Sequence, residues 1–372
     1  MRKRFISSTS GLVMVLGLIC LTARPIWGQV KDTPVNSVPP RTPDGHPDLQ
    51  GTYDLATMTP LERQPGAPAF LTKEKAEALQ KAEIERRDKD NQSPQADRST
   101  PAGDDKGTPT AFYEALEEGA GGPVGFYNRF WLNPGGAYNV VNGQVRTSIV
   151  VEPADGHLPS YNSAALKRIA AARATQTSTP PERQDGTAAP PGAYDNPEQR
   201  PLSERCLLGF GSTSGPPALP DYFYNDLHQI VQTPDSVMIL SEMIHDARIV
   251  RMNAQHLPQN IRRWMGDSVG HWEGDTLVID TTNFTDKTRF RGSTENLHVI
   301  EHLTRVDDKT LLYRFTIEDP DTWDRPWTGE YTWPATNQRM FEYACHEANY
   351  ALADVLRGAR QQEAQEAAKA KQ

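Results

Sequence analysis

The sequence predicts a mainly β protein: a lipocalin-like antiparallel β-barrel with an extended N-terminal arm and a few peripheral helices. Two observations carry this. Between residues 228 and 345 short runs of alternating apolar and polar residues recur at close spacing, the signature of a barrel or sandwich. Turn formers punctuate the chain at Asn142-Gly143, Asp155-Gly156, Pro234-Asp235 and Asp307-Asp308-Lys309, and Asn-Gly in particular favours a tight hairpin. With 30 prolines, 27 glycines and 37% hydrophobic residues among 372, many turns and loose segments are expected. Roughly 200 to 250 residues are left for a core, which suits one domain.

Residues 1–28 read as a signal peptide. Arg2, Lys3 and Arg4 form a charged start, an apolar stretch runs from Gly11 to Ala23, and Ile26-Trp27-Gly28 precedes a cleavage point. The apolar stretch is shorter than the ~20 residues that span a bilayer. The rest is then expected to be exported, periplasmic or secreted, with no stable membrane insertion. Residues 29–110 read as an extended arm, a surface helix and a flexible segment. Leu49, Tyr53 and Leu55 would peg the arm across a sheet, and Thr72 would cap a helix running to about residue 87.

The barrel domain is placed at 111–350. It opens with an aromatic cluster at Phe126-Tyr127-Asn128-Arg129-Phe130-Trp131, read as core. The Asn142-Gly143 hairpin follows, then a short Ala-rich helix at 163–175 and a flexible insertion at 176–200. Strands are expected at 228–233, 237–251 (long enough to bend), 277–281, 297–306, 310–318, 328–333 and 339–345. With the hairpin near residue 143 this makes eight to nine. Residues 351–372 read as a helical tail.

The formal net charge of −9 argues against a nucleic-acid partner, which needs a basic face. Once the leader is removed, Cys206 and Cys345 are the two remaining cysteines. In an oxidising compartment such a pair reads as a disulfide, worth ~4 kcal/mol on the chain-entropy model. Two free thiols are the alternative.

The hairpin around Asp307-Asp308-Lys309 is the most informative stretch for chemistry. A three-residue turn would pair Val306 with Thr310, Leu303 with Tyr313, Glu301 with Phe315 and Val299 with Ile317. Glu301 would then be the polar intruder on an apolar face. A carboxyl so buried has its pKa raised and can act as general acid or base; a salt bridge to Arg248 or Arg305 is the alternative. A two-residue turn would instead turn His298 and His302 inward.

His298 and His302 on one strand lie ~13 Å apart, too far to share an ion. His245, His298 and the pair His346-Glu347 come from different strands, so they could converge as a metal site or a proton-transfer group. Arg248 and Asp246 resemble a charged interior pair, in which Arg248 could hold an anionic group bidentately. Tyr343 and Trp264 are candidates for a substrate wall. Gly266-Asp267-Ser268 lacks the Asp-x-x-His block that would partner an esterase nucleophile, and Gly211-Ser212-Thr213-Ser214-Gly215 has Thr, not Ser, at the centre of a nucleophile-elbow spacing.

Five blocks carry a resemblance: Pro43-Asp44-Gly45-His46-Pro47-Asp48-Leu49-Gln50-Gly51, Met243-Ile244-His245-Asp246-Ala247-Arg248-Ile249, Trp264-Met265-Gly266-Asp267-Ser268, the run from Trp272 to Phe284, and Tyr343-Ala344-Cys345-His346-Glu347. Together they resemble a large group of exported, uncharacterised bacterial proteins. The resemblance spans most of the chain beyond the leader and implies export and a shared architecture.

The leading expectation is an exported, cofactor-independent lyase or isomerase. It would act on a small hydrophobic or aromatic molecule in a barrel cavity. Glu301 with His245 or His298 would move protons, and Arg248, Asp246, Tyr343 and Trp264 would bind the substrate. One alternative is a non-catalytic small-molecule-binding protein. The other is a hydrolase using a divalent transition metal on His245, His298, His346 and Glu347.

Overall fold

The computed structural model describes residues 39–90, 133, 135–177, 192, 194–209, 215–220, 224–288, 290–347 and 349–369. The expected signal peptide, the aromatic cluster at 126–131 and most of the insertion at 176–200 lie outside them. Thirteen strands are described: β1 Gly51–Asp54, β2 Phe70–Leu71, β3 Val140–Val141, β4 Gln144–Arg146, β5 Val150–Glu152, β6 Leu227–Gln232, β7 Ser236–Ser241, β8 Ala247–Met252, β9 Asp267–Glu273, β10 Thr276–Thr282, β11 His298–Arg305, β12 Thr310–Glu318 and β13 Trp327–Thr336. Three α-helices accompany them: α1 Lys73–Asp90, α2 Ser163–Thr177 and α3 Tyr350–Lys369. Strands β2, β4 and β3 form a small separate sheet.

The protein is mainly β and its large sheet closes on itself. The order is β1-β6-β7-β8-β9-β10-β11-β12-β13, with β13 pairing back onto β1 through Thr52 with Thr336 and Tyr53 with Ala335. This closed nine-stranded barrel is consistent with the lipocalin-like barrel expected. β13 is ten residues long and its outer edge is shared. Its start pairs with β5, the one strand of the large sheet outside the barrel, and its end with β1. The arm thus supplies the closing strand, with Leu49, Tyr53 and Leu55 buried as expected.

The hairpin β11–β12 has the register of the three-residue turn. Leu303 faces Tyr313, Glu301 faces Phe315, Val299 faces Ile317, and the Val306 N–H donates to the Thr310 carbonyl at 3.0 Å. On both strands every second residue is buried. The helices also fall near their expected places. Thr72 Oγ1 caps α1 by accepting from Lys75 N at 3.2 Å, and Asn162 Oδ1 caps α2 by accepting from Ala165 N at 2.8 Å.

Three expectations are corrected. Residues 237–251 are two strands, β7 and β8, joined by a reversal at Met243–His245. There Ile244 and His245 hold φ of 60° and 57°, a region that side chains rarely occupy. Residues 267–273 form β9, which runs parallel to β8. Its Gly270 hid the strand pattern; a Cβ there would meet Val250 Cγ1 at 2.8 Å, so glycine permits the close approach. Residues 339–345 are not a strand. Their amides bind side chains instead: Phe341 N donates to Glu242 Oε1 and Tyr343 N to His245 Nε2, each at 2.6 Å.

The barrel interior is occupied by its own chain. All six residues of 215–220 are buried. Pro216, Pro217 and Pro220 have no N–H to satisfy, so little of this backbone needs a partner. Ala218 N donates to the Tyr313 hydroxyl at 3.0 Å, and the Tyr331 hydroxyl donates to the Ala218 carbonyl at 2.9 Å. Around this plug pack Tyr53, Tyr313, Phe315, Trp327, Tyr331 and Trp333, all fully buried. Cys206 and Cys345 form the expected disulfide, Cα–Cα 5.7 Å, tying the segment that precedes the plug to the segment that follows β13.

Gly329 on β13 faces Phe315, and a Cβ there would collide with the phenyl ring. Gly329→Ala is expected to cost about 1–3 kcal/mol through overpacking, read as a lower urea midpoint with an unchanged m-value.

Candidate functional site

Period 2 aims Arg248 of β8, Glu301 of β11 and Tyr313 of β12 into the barrel, where they meet. Arg248 Nη1 and Nη2 donate to Glu301 Oε2 and Oε1 at 2.5 and 2.8 Å, and the Tyr313 hydroxyl donates to Oε1 at 2.7 Å. Glu301 is 0% exposed and Arg248 4%. Burial disfavours the guanidinium charge, but the Glu301 carboxylate outweighs it and holds the Arg248 pKa above its ordinary value. Burial, and then the neighbouring Glu301 charge, push the Tyr313 phenol well above its ordinary value. The salt-bridge alternative for Glu301 is therefore the observed geometry. Three donors meet its two oxygens. Arg248 likewise has its bidentate edge engaged by Glu301 and not open to an anionic group.

The other expected site residues lie elsewhere. His245 is exposed at the β7–β8 reversal. Asp246 precedes β8 at the same rim. Tyr343 is half-buried there, its ring stacked on Tyr224 at 6.1 Å. Trp264 is 39% exposed outside the barrel, its carbonyl accepting from Thr288 Oγ1. His346 and Glu347 are exposed beyond Cys345. Among the described residues no three His, Cys, Asp or Glu side chains are grouped to hold a metal ion.

His298 points outward, into a chain of alternating carboxylates and imidazoles. Its Nδ1 meets Glu318 Oε2 at 3.0 Å and its Nε2 meets Asp280 Oδ1 at 3.1 Å. The same Asp280 oxygen meets His256 Nε2 at 3.0 Å, and His256 Nδ1 meets Asp267 Oδ2 at 3.2 Å. Arg251 Nη2 and Leu257 N also donate to Asp267, each at 2.9 Å. All four imidazole nitrogens are occupied, so neither ring has a free nitrogen for a substrate. The hydrogen bond to Asp280 is the main cause that raises the His298 pKa. The group pins the long β8–β9 connection to the barrel wall.

What the sequence reading missed lies inside the barrel beside Arg248. His228 of β6 and Ser241 of β7 are cross-strand partners, both buried. The His228 ring lies 5.8 Å from that of Trp333. Four fully enclosed polar atoms there, His228 Nε2, Ser241 Oγ, Arg248 Nε and Trp333 Nε1, have no hydrogen-bond partner among the described residues. Buried polar atoms are nearly always satisfied; these four are not. Parity was the available signal. His228 shares its inward parity with Ile230, and Ser241 with Val237 and Ile239.

Burial drives the His228 pKa down to about 4; the Asp226 carbonyl opposes this and the Arg248 charge adds to it. An unfolded histidine titrates near 6.5, so between about pH 6.5 and 4 the unfolded chain binds a proton that the folded chain refuses. Stability from this group is complete above pH 6.5 and falls as the pH drops towards 4, by on the order of 3 kcal/mol. Urea midpoints measured against pH should show this slope in the wild type and a shallower one in His228→Leu.

For the ion pair, Glu301→Gln or Arg248→Met alone is expected to cost about 3–5 kcal/mol, because each strands a buried partner. With Glu301→Leu as a third single variant, the double variant Glu301→Leu/Arg248→Met should lose clearly less than the sum of its two singles in the same denaturation series. Comparison with protein-family models, with curated proteins and with solved structures gave no match for this chain.

Proposed function

We propose that this chain is an exported barrel protein that binds a small molecule inside the barrel, at the His228–Ser241–Arg248–Trp333 end. The observation that carries this reading is a set of four buried polar atoms without partners on neighbouring side chains: His228 pairs with Ser241 across β6 and β7, its ring lies 5.8 Å from that of Trp333, and it feels the Arg248 charge. Aromatic rings lie beside them: Trp333 is 6.4 Å from Tyr53 and 4.6 Å from Tyr313, centroid to centroid. Ligand sites combine such an apolar lining with a few placed polar groups. Export is supported by the leader-like start and by the Cys206–Cys345 disulfide, which suits an oxidising compartment. No helix among the described residues is long and apolar enough to cross a membrane. The resemblance to exported bacterial proteins points the same way.

A second reading, acid/base catalysis by a lyase or isomerase, is favoured by one feature. His228 Nε2 faces the interior without a partner and could take a proton from a bound molecule, a role the sequence suggested for His245 or His298. Turnover would then vanish in His228→Leu while binding persisted.

Thermal-shift measurements on the mature protein test the binding reading. A panel of small aromatic and aliphatic alcohols, amides, carboxylates and amines is expected to contain compounds that raise Tm. At a hundredfold excess over Kd the gain is about 2.7 kcal/mol. The same compounds should do little for Ser241→Ala or His228→Leu. A panel with no stabiliser, or one whose stabilisers ignore both substitutions, would sink the reading.

A further inference from the structure

The interior site also carries information about what it takes, and this inference rests on the binding reading above. Two of its four partnerless atoms are fixed as donors, since indole Nε1–H and guanidinium Nε–H cannot accept. The third, Ser241 Oγ, can do either. The fourth is set by its own ring. His228 Nδ1 lies 3.4 Å from the Asp226 carbonyl oxygen, an atom that only accepts, so the ring proton is assigned to Nδ1 and Nε2 is left as a bare acceptor. A guest must therefore offer oxygen lone pairs to Trp333 and Arg248 and an O–H or N–H to His228.

The charges already present narrow the choice further. The Arg248 cation is matched by Glu301 through two hydrogen bonds. Between them the two side chains sum to zero in a region shielded from water. An anionic guest would bring a buried charge with no counter-charge left to meet it, and a cationic guest would sit against the guanidinium; either costs several kcal/mol of desolvation.

We infer that the site takes an uncharged, compact molecule bearing both a hydrogen-bond donor and an oxygen acceptor, such as an alcohol, a phenol or a primary amide, and discriminates against carboxylates and amines. This reverses the expectation that Arg248 holds an anionic group. The rings of Trp333 and Tyr53 give the apolar part of such a molecule a surface to lie on.

The test uses probes of two sizes and three charge states: ethanol, acetamide, acetate and ethylammonium, and benzyl alcohol, benzamide, benzoate and benzylammonium. Binding to the full mature protein labelled with 15N-histidine is followed by the imidazole nitrogen resonances. An alcohol or amide is expected to move the His228 Nε2 resonance of the neutral ring and to bind at least about tenfold more tightly than the acetate or benzoate of its size, a gap of 1.4 kcal/mol. Ser241→Ala should weaken that binding about threefold to tenfold with an unchanged near-ultraviolet dichroism spectrum. Tighter binding of a carboxylate or an amine that moves the same resonance would overturn the inference and leave the binding reading standing. If no probe moves it, and the atoms meet ordered water only, both fall.

Discussion

The Glu301–Arg248 pair is the interaction on which the interior depends. It joins β8 to β11 across strands β9 and β10, so it fixes the barrel's cross-section and not only a neighbouring register. Through the Tyr313 hydroxyl the same carboxylate reaches Ala218 N, which seats the proline-rich plug. Through the Arg248 charge it helps keep His228 neutral. Apolar residues of similar volume at both positions would remove a desolvation cost, but they would also leave Tyr313, and with it the plug, without an anchor.

Polar chemistry in this protein is sorted by strand parity. Among the described residues, inward positions hold a nearly neutral set: the ion pair, phenols, the uncharged His228 imidazole, and the hydroxyls of Ser241, Ser268 and Thr281. The outward positions of β10 to β12 hold the titrating groups, where Asp280 bridges His256 and His298. His298 gains stability from its charge, whereas His228 gains it from staying uncharged. The two respond to pH in opposite senses, although both are histidines of barrel strands. The exterior group ties the β8–β9 connection to the wall; the interior group includes polar atoms without partners.

Much of the barrel was legible in the sequence where one strand was self-sufficient. The two strands of the β11–β12 hairpin could be read, because Leu297 to Val306 and Thr310 to Glu318 alternate cleanly, but the turn around Asp307-Asp308-Lys309 allows two or three residues, so the sequence left the register open and the structure sets it. Glu301 stood out against that alternation. Legibility failed where the partner was distant or the pattern short. β1 has four residues and reads as arm, since only the remote β6 and β13 give it a sheet. β9 was concealed by Gly270 and by its parallel pairing, which needs no hairpin signal. The plug looks like a linker, because proline-rich backbone is ordinarily exposed; here three of its residues lack an N–H and two tyrosines meet the N–H and the carbonyl of Ala218. His228 and Ser241 went unremarked since a single polar residue in a six-residue strand carries little weight until its face is known.

Closure of the barrel through β1 and β13 has a consequence for biosynthesis. Tyr53 pairs with Ala335, so the seam is made between nearly opposite ends of the described chain. Contacts of such sequence separation slow folding, and until the seam forms β13 shows part of an unpaired edge of the kind that templates aggregation. The wall of this barrel is thus completed by the contact that the chain must travel furthest to make.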